Sequence, residues 1–165
     1  MSTGLAIFTA VHVLISLIGI GAGLIVVYGL IGGRWLKGWN TWFLWTTILT
    51  SVTGYLFPFH KLLPSHILGA MSLAVLAVSC VALYSKRLAG GWWKTYVITG
   101  TIALYFNVFV LVAQLFGKVP ALKALAPTQQ EAPFKVTQLV VLVAFVAIGY
   151  LATSRSKSLA VARTA

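Results

Sequence analysis

Three histidines are the side chains in this sequence whose type and placement best suit binding chemistry. His12 lies within an apolar run, and His60 and His66 flank the turn between two further apolar runs. The chain has one acidic residue, Glu131, and one cysteine, Cys80. A neutral imidazole can ligate a metal ion or exchange a hydrogen bond without carrying a full charge into apolar surroundings. The histidines are therefore the first candidates for a functional site.

The same residues argue against several classes of chemistry. No carboxylate lies within an apolar run to act as a base or to orient a histidine, which disfavours a Ser-His-Asp hydrolase. One cysteine permits neither an intrachain disulfide nor a pair of redox thiols. Proton-coupled transporters usually bury Asp, Glu or Lys along their pathway, and the apolar runs contain none of them.

The composition is that of a polytopic membrane protein. Hydrophobic residues make up 60% of the chain, charged residues 8%, and the mean hydropathy is +0.99. A helix of about 20 apolar residues crosses a bilayer. Five uncharged runs approach or exceed that length, namely residues 5–31, 41–59, 64–85, 95–116 and 136–153. The sequence predicts an all-α transmembrane bundle of five spans in one domain, residues 1–154, with a short tail, residues 155–165.

Two features bear on whether the first run is retained and on the number of spans. The first basic residue, Arg34, follows the whole first run, so we expect that run to be a retained helix and not a cleaved leader. Pro58 and Pro64 permit an alternative with four spans, in which the second and third runs form a re-entrant pair.

The charges and indoles predict an orientation. The formal net charge is +11, but the basic residues stand in short groups between apolar runs, which indicates lipid and not nucleic acid as the partner. More basic residues fall on the side that holds the C-terminus, which places the N-terminus outside and the C-terminus in the cytoplasm. All six tryptophans lie at span ends on that same side, where indoles favour the headgroup level.

Small and polar residues predict how the spans pack. Gly19 and Gly23 have small-xxx-small spacing, for which we expect the third span as the partner. The second span is rich in hydroxyls, so we expect it to be central and the first three spans to form the tight centre of the bundle. A short interfacial helix is predicted between Pro120 and Pro127.

With this orientation, all three histidines lie in the outer layer of the membrane or just above it. Gln114 and Gln138 belong to the same layer, and Asn107 lies deeper. The pattern predicts an outward-facing histidine and amide site, in which His12 faces His66 and Gln114 or Gln138 lies nearby.

Part of this pattern resembles a known family. His12 followed by Gly19 and Gly23, and His66 followed by Gly69, resemble the small membrane-bound cytochrome b proteins over roughly the first half of the chain. The resemblance implies a redox subunit in which His12 and His66 ligate the iron of haem b. Those proteins commonly have histidines at both membrane faces, whereas this chain has none at the inner face, so at most one haem is expected.

A second resemblance implies a location but no activity. The motifs Pro58-Phe59-His60 and Pro64-Ser65-His66, together with the loop of residues 118–129, resemble a group of uncharacterised small bacterial membrane proteins. The implied location is the bacterial cytoplasmic membrane, as a multi-pass protein.

Three alternatives to haem remain open. A histidine with Gln114, Gln138 or Asn107 suits the two carbonyls of a quinone in an apolar cleft. His12, His60 and His66 together suit a copper or zinc ion. A non-enzymatic structural or assembly subunit, packed against other membrane subunits or a second copy of itself, needs only neutral histidines that are satisfied by helix contacts.

Overall fold

The computed structural model describes residues 3–57 and 64–155, and this part of the chain folds into helices joined by short turns. The helices are α1 (Thr3–Ile31), α2 (Lys37–Gly54), α3 (Pro64–Cys80), α4 (Trp92–Lys118), α5 (Pro120–Leu125) and α6 (Ala132–Arg155). A π-helical turn, Val81–Ser85, extends α3. No strand occurs within the described ranges, so the predicted all-helical class is confirmed.

Four of these helices are long and apolar enough to cross a membrane. They are Thr3–Ile31, His66–Ser85, Trp92–Lys118 and Ala132–Arg155. They correspond to the first, third, fourth and fifth runs predicted from the sequence. The chain therefore has the helices of a polytopic integral membrane protein, and α2 is the helix whose composition is more polar.

The helix ends differ from the predicted ones because charge alone does not stop a helix. The fourth helix begins at Trp92 and ends at Lys118, and the last begins at Ala132, so both extend past the predicted bounds. Long basic side chains can reach toward water while their backbone stays helical. α2, by contrast, ends at Gly54, before the predicted 59. The interfacial helix α5 is confirmed and begins at Pro120.

Long helices that follow one another along the chain run antiparallel. Along α1 and α2, Gly19 lies against Thr46 and Gly29 against Leu36, so one helix descends as the other rises. The same holds for α2 and α3, where Ser51 lies against Ser72 and Tyr55 against Gly69, and for α4 and α6, where Thr101 lies against Gly149 and Phe109 against Gln138. α3 and α4 meet at Ser79 and Thr99. We call the bundle end with the α1–α2 and α3–α4 connections the inner end, and the opposite end the outer end.

The close glycine contacts of α1 are with α2 and α4. A Cβ on Gly19 would lie 3.0 Å from Thr46 Oγ1. A Cβ on Gly23 would lie 2.6 Å from a methyl carbon of Leu104 and 2.9 Å from the ring of Phe43. The expectation that the third span is the partner of these glycines is therefore wrong, because small residues permit a close approach without specifying which helix makes it.

The centre of the bundle is α4. It packs against α1, α3 and α6 and contributes Trp93, Tyr96, Val97, Ala103 and Leu104 to the main buried cluster. The prediction that the first three spans form the tight centre is wrong. The hydroxyls of α2 mark a polar face, but the large apolar residues on several sides of α4 decide which helix is surrounded.

α2 buries hydroxyl side chains together with Phe43 and Leu44 and exposes indoles on its other face. Thr46, Thr47 and Ser51 are buried against neighbouring helices. Trp42 and Trp45 are each 61% exposed. A helix in water buries its apolar face, so this arrangement is typical of an apolar solvent.

The loop between α5 and α6 is fixed to the outer end of α4. Glu131 accepts hydrogen bonds from the Thr128 hydroxyl, at 2.8 Å, and from the Gln130 backbone, at 3.0 Å. Desolvation by itself raises the pKa of Glu131, but these hydrogen bonds outweigh it and the pKa is lowered. Gln129 donates to the Ala113 carbonyl of α4 at 2.8 Å. The predicted tail, residues 155–165, begins with Arg155 inside α6, and residues 156–165 lie outside the described part.

Candidate functional site

The ring of His12 lies between α1 and the end of α2. Its Nδ1 atom is 2.9 Å from Thr53 Oγ1. Its ring meets that of Phe57 edge to face, with the centroids 5.1 Å apart, and Phe57 in turn contacts Phe8 at 4.8 Å. The imidazole is therefore held by one hydrogen bond and by aromatic packing.

The hydrogen bonds of Thr53 determine which nitrogen of His12 carries the proton. Thr53 Oγ1 lies 2.7 Å from the Leu49 carbonyl, which can only accept, so the single hydroxyl hydrogen points there. The Thr53 oxygen must then accept from His12, which places the ring hydrogen on Nδ1. In the neutral imidazole, Nε2 keeps its lone pair and is the nitrogen able to bind a metal ion or accept a hydrogen bond.

His66 lies in the first turn of α3 and is 8% exposed. The Tyr55 ring lies 5.8 Å from its imidazole, measured between centroids, and the Tyr55 hydroxyl donates to the His66 backbone carbonyl at 2.6 Å. Gly69 makes room for this ring, because a Cβ there would lie 3.2 Å from a carbon of Tyr55. The His66 to Gly69 spacing therefore has a packing role of its own.

One short segment contacts both histidines. Residues 53–57, the end of α2 and the turn after it, touch His12 through Thr53 and Phe57 and touch His66 through Tyr55. The structure thus brings α1 and α3 to the same segment at the outer end. That the two imidazoles face each other stays a prediction, and His60 lies outside the described residues.

The amides predicted for the site take three different places. Asn107 of α4 donates to Thr47 of α2 at 3.3 Å. Gln138 of α6 is buried and donates to the Phe109 carbonyl of α4 at 3.1 Å, while its Oε1 atom is buried without a hydrogen-bond partner. Gln114 is exposed at the outer end of α4. Asn107 and Gln138 therefore connect helices.

The metal alternative depends on a histidine beyond the described ranges. Among residues 3–57 and 64–155, no three His, Cys, Asp or Glu side chains lie close enough together to hold a metal ion. The predicted copper or zinc set includes His60, so it stays a prediction.

No protein-family model, curated protein or solved structure matches this chain. The two resemblances therefore stay predictions.

A buried polar pair near the inner end was missed by sequence reasoning. Tyr96, 1% exposed, donates its hydroxyl hydrogen to Oδ1 of Asn40, which is 2% exposed and donates to the Leu36 carbonyl at 2.8 Å. The ring of Trp35 lies 5.5 Å from that of Tyr96. The predicted second span begins at residue 41, directly after Asn40. An amide next to an apolar run is a candidate for a contact between helices.

The bundle has two notable openings. A small crevice of about 10 Å³ lies beside Tyr96 and Thr101, which is at most the space of one water molecule. A larger, open groove of about 440 Å³ lies between α1 and α2, and we call it the α1–α2 groove. It is lined by Ile18, Gly38, Trp39 and Trp42.

Proposed function

We propose that this chain is a five-span redox subunit of the bacterial cytoplasmic membrane that binds one haem b at its outer-end histidine site. The observation that carries the proposal is the hydrogen bond from His12 Nδ1 to Thr53 at 2.9 Å. Histidines that ligate metals almost always donate their second ring nitrogen to a fixed acceptor, which orients the ring and raises its basicity. His12 has that arrangement, with Nε2 as the ligating nitrogen.

The residues at the outer end suit haem in two respects. His12 and His66 stand on different helices and both contact residues 53–57. Imidazoles from two different helices would hold the iron of a haem, and the apolar side chains Phe8 and Phe57 beside His12 would suit its macrocycle. Haem would supply one-electron transfer, while His12 and His66 would hold the iron and Thr53 would fix the His12 ring.

The faces of α2 support five spans in place of four. α2 has 18 residues, which gives a length of about 27 Å at a rise of about 1.5 Å per residue. Its exposed side carries Trp42, Trp45 and Leu49, and its buried side carries Thr47 and Ser51. An indole-rich exposed face over that length suits lipid, and the hydroxyls that lower the mean hydropathy of α2 point into the bundle.

The charges support a cytoplasmic inner end. The described basic residues at the inner end are Arg34, Lys37, Lys86, Arg87, Lys94 and Arg155. Those at the outer end are Lys118, Lys123 and Lys135. The richer end is cytoplasmic by the positive-inside rule, so the N-terminus and the histidine site are on the outside.

The test is the absorption spectrum of the detergent-purified protein, reduced minus oxidised. We expect a Soret band and an α-band that are lost in His12→Ala and in His66→Ala. Lys123→Gln is the matched control, because Lys123 is exposed at the same end and has no place in the proposed site, and it should keep the spectrum. A colourless, metal-free protein whose helical fold survives both histidine substitutions would contradict the proposal.

A quinol is the second candidate ligand, favoured by the same hydrogen bond. Because Nε2 of His12 is an acceptor, it suits the hydroxyl of a quinol better than the carbonyl of a quinone. A colourless protein that binds a quinol, with binding lost in His12→Ala, would support this alternative.

A structural or assembly subunit is the candidate from a different class. It is favoured by hydrogen bonds that join helices, such as Ser51 to Ser72 at 3.1 Å and Ser79 to Thr99 at 2.7 Å. In that case the His12 to Thr53 bond would be one more helix contact. If the purified protein binds neither haem nor quinol, a structural or assembly subunit is the better-supported function.

A further inference from the structure

The inner end carries a concentration of positive charge that no acidic side chain offsets within the described ranges. Six basic residues lie there, whereas the single acid, Glu131, lies in the loop at the outer end. The α1–α2 groove opens at the inner end beside two of the six. Lys37 directly precedes Gly38 of the groove, and Arg34 lies in the turn between α1 and α2.

The lining of the groove spans most of one leaflet. Because Gly19 lies against Thr46, Ile18 stands near the level of Thr46, and Gly38 to Thr46 is about 12 Å of helix at a rise of about 1.5 Å per residue. Half of the hydrocarbon core of a bilayer measures about 15 Å. Its walls are apolar, with the indoles of Trp39 and Trp42 on one side.

The two cations at the mouth are exposed and available to a headgroup. Lys37 and Arg34 are both exposed, and the Arg34 guanidinium lies 5.7 Å from the centre of the exposed Tyr28 ring. Stacking on an aromatic ring leaves the edge of the guanidinium able to donate to phosphate oxygens. Trp39 lies two residues after Lys37, near the end of the helix, which is the level that interfacial indoles favour.

We propose that the α1–α2 groove is a selective site for one anionic phospholipid. An acyl chain lies along Ile18 and Trp42, and the phosphate with its anionic headgroup lies against Arg34 and Lys37. The net negative charge of the lipid distinguishes it from a zwitterionic one. A second copy of the chain fits less well, because it would bring the same two cations to the mouth. The site requires α2 to cross the membrane but is independent of any redox group.

The test uses brominated lipids, which quench the fluorescence of nearby tryptophans. The purified protein in nanodiscs should be quenched more strongly by brominated phosphatidylglycerol than by brominated phosphatidylcholine. The R34Q/K37Q variant should lose the preference for the anionic lipid. We expect its relative affinity for that lipid to fall about fivefold for each basic residue removed. K118Q/K123Q removes the same charge at the outer end and should keep it. Equal quenching by the two lipids, or an equal loss in both double variants, would overturn the proposal.

Two further variants locate the site without changing charge. Trp42 and Trp45 are equally exposed on α2, but only Trp42 lines the groove. Replacing Trp39 and Trp42 together by Phe should remove the lipid-selective part of the quenching, because both indoles line the groove, and Trp45→Phe should keep it. Gly38→Leu should obstruct the groove, and since a Cβ there meets nothing within 4 Å, the helix should still fold. Selective quenching that survives both the Trp39→Phe/Trp42→Phe double variant and Gly38→Leu, or a dimer that excludes the lipid, would contradict the site.

Discussion

At the scale of single residues, Thr53 determines what His12 can do. The side chain of His12 was recognised from the sequence because an ionisable residue within an apolar run is rare. Its partner was not, because the partner depends on how far α1 is shifted along α2, which a pattern of apolar residues does not specify. The hydroxyl of Thr53, already committed to the Leu49 carbonyl, fixes the imidazole in one tautomer.

Replacing Thr53 by valine tests this assignment. Valine keeps the shape but removes the acceptor, so the Nδ1 hydrogen of His12 is left without its partner. We expect a loss of stability of about 1 kcal/mol, typical of hydrogen bonds between membrane helices. Thermal unfolding in detergent, followed by circular dichroism, measures it. Thr53→Ser should unfold like the wild type, and a Thr53→Val protein as stable as Thr53→Ser would show that the bond contributes nothing.

At the scale of helices, the sequence predicted which segments are helical better than it predicted their partners. Long uncharged runs indicate spans because the cost of unpaired backbone groups in lipid requires helices. Gly19 and Gly23 predicted a close approach, but the helices that approach are α2 and α4. The contact surface follows from the shapes of Phe43 and Leu104, which no spacing rule contains. The sequence likewise did not predict that residues 53–57 contact both described histidines, because this depends on α2 ending at Gly54.

Two glycines of α1 offer a matched pair for the α1–α4 contact. A methyl group at Gly23 would lie 2.6 Å from Leu104, whereas one at Gly21 meets nothing within 4 Å. Gly23→Ala should therefore cost about 1–3 kcal/mol through overpacking. Gly21→Ala should be neutral or stabilising by up to about 1 kcal/mol, because alanine favours the helix. Unfolding midpoints in detergent compare them, and equal midpoints would mean that α1 and α4 are not packed this closely.

At the scale of the whole molecule, the fold is an antiparallel bundle whose two ends differ in chemistry. The inner end holds Trp35, Trp39, Trp92 and Trp93, six described basic residues and the mouth of the α1–α2 groove. The outer end holds His12, His66 and the loop anchored by Gln129. Which end faces the cytoplasm, and whether both described histidines lie outside, depends on α2 crossing the membrane.

Cysteine accessibility in intact cells tests that claim most directly. Cys80 is replaced by alanine, and single cysteines are introduced as Lys37→Cys, Arg87→Cys and Lys123→Cys for labelling with a membrane-impermeant maleimide. If α2 crosses the membrane, positions 37 and 87 lie on the same side and 123 on the other, so we expect labelling at 123 alone until the cells are permeabilised. Labelling at 37 and 87 with protection of 123 would place the histidine site in the cytoplasm. Opposite labelling of 37 and 87 would show that α2 does not cross, and would contradict the five-span account.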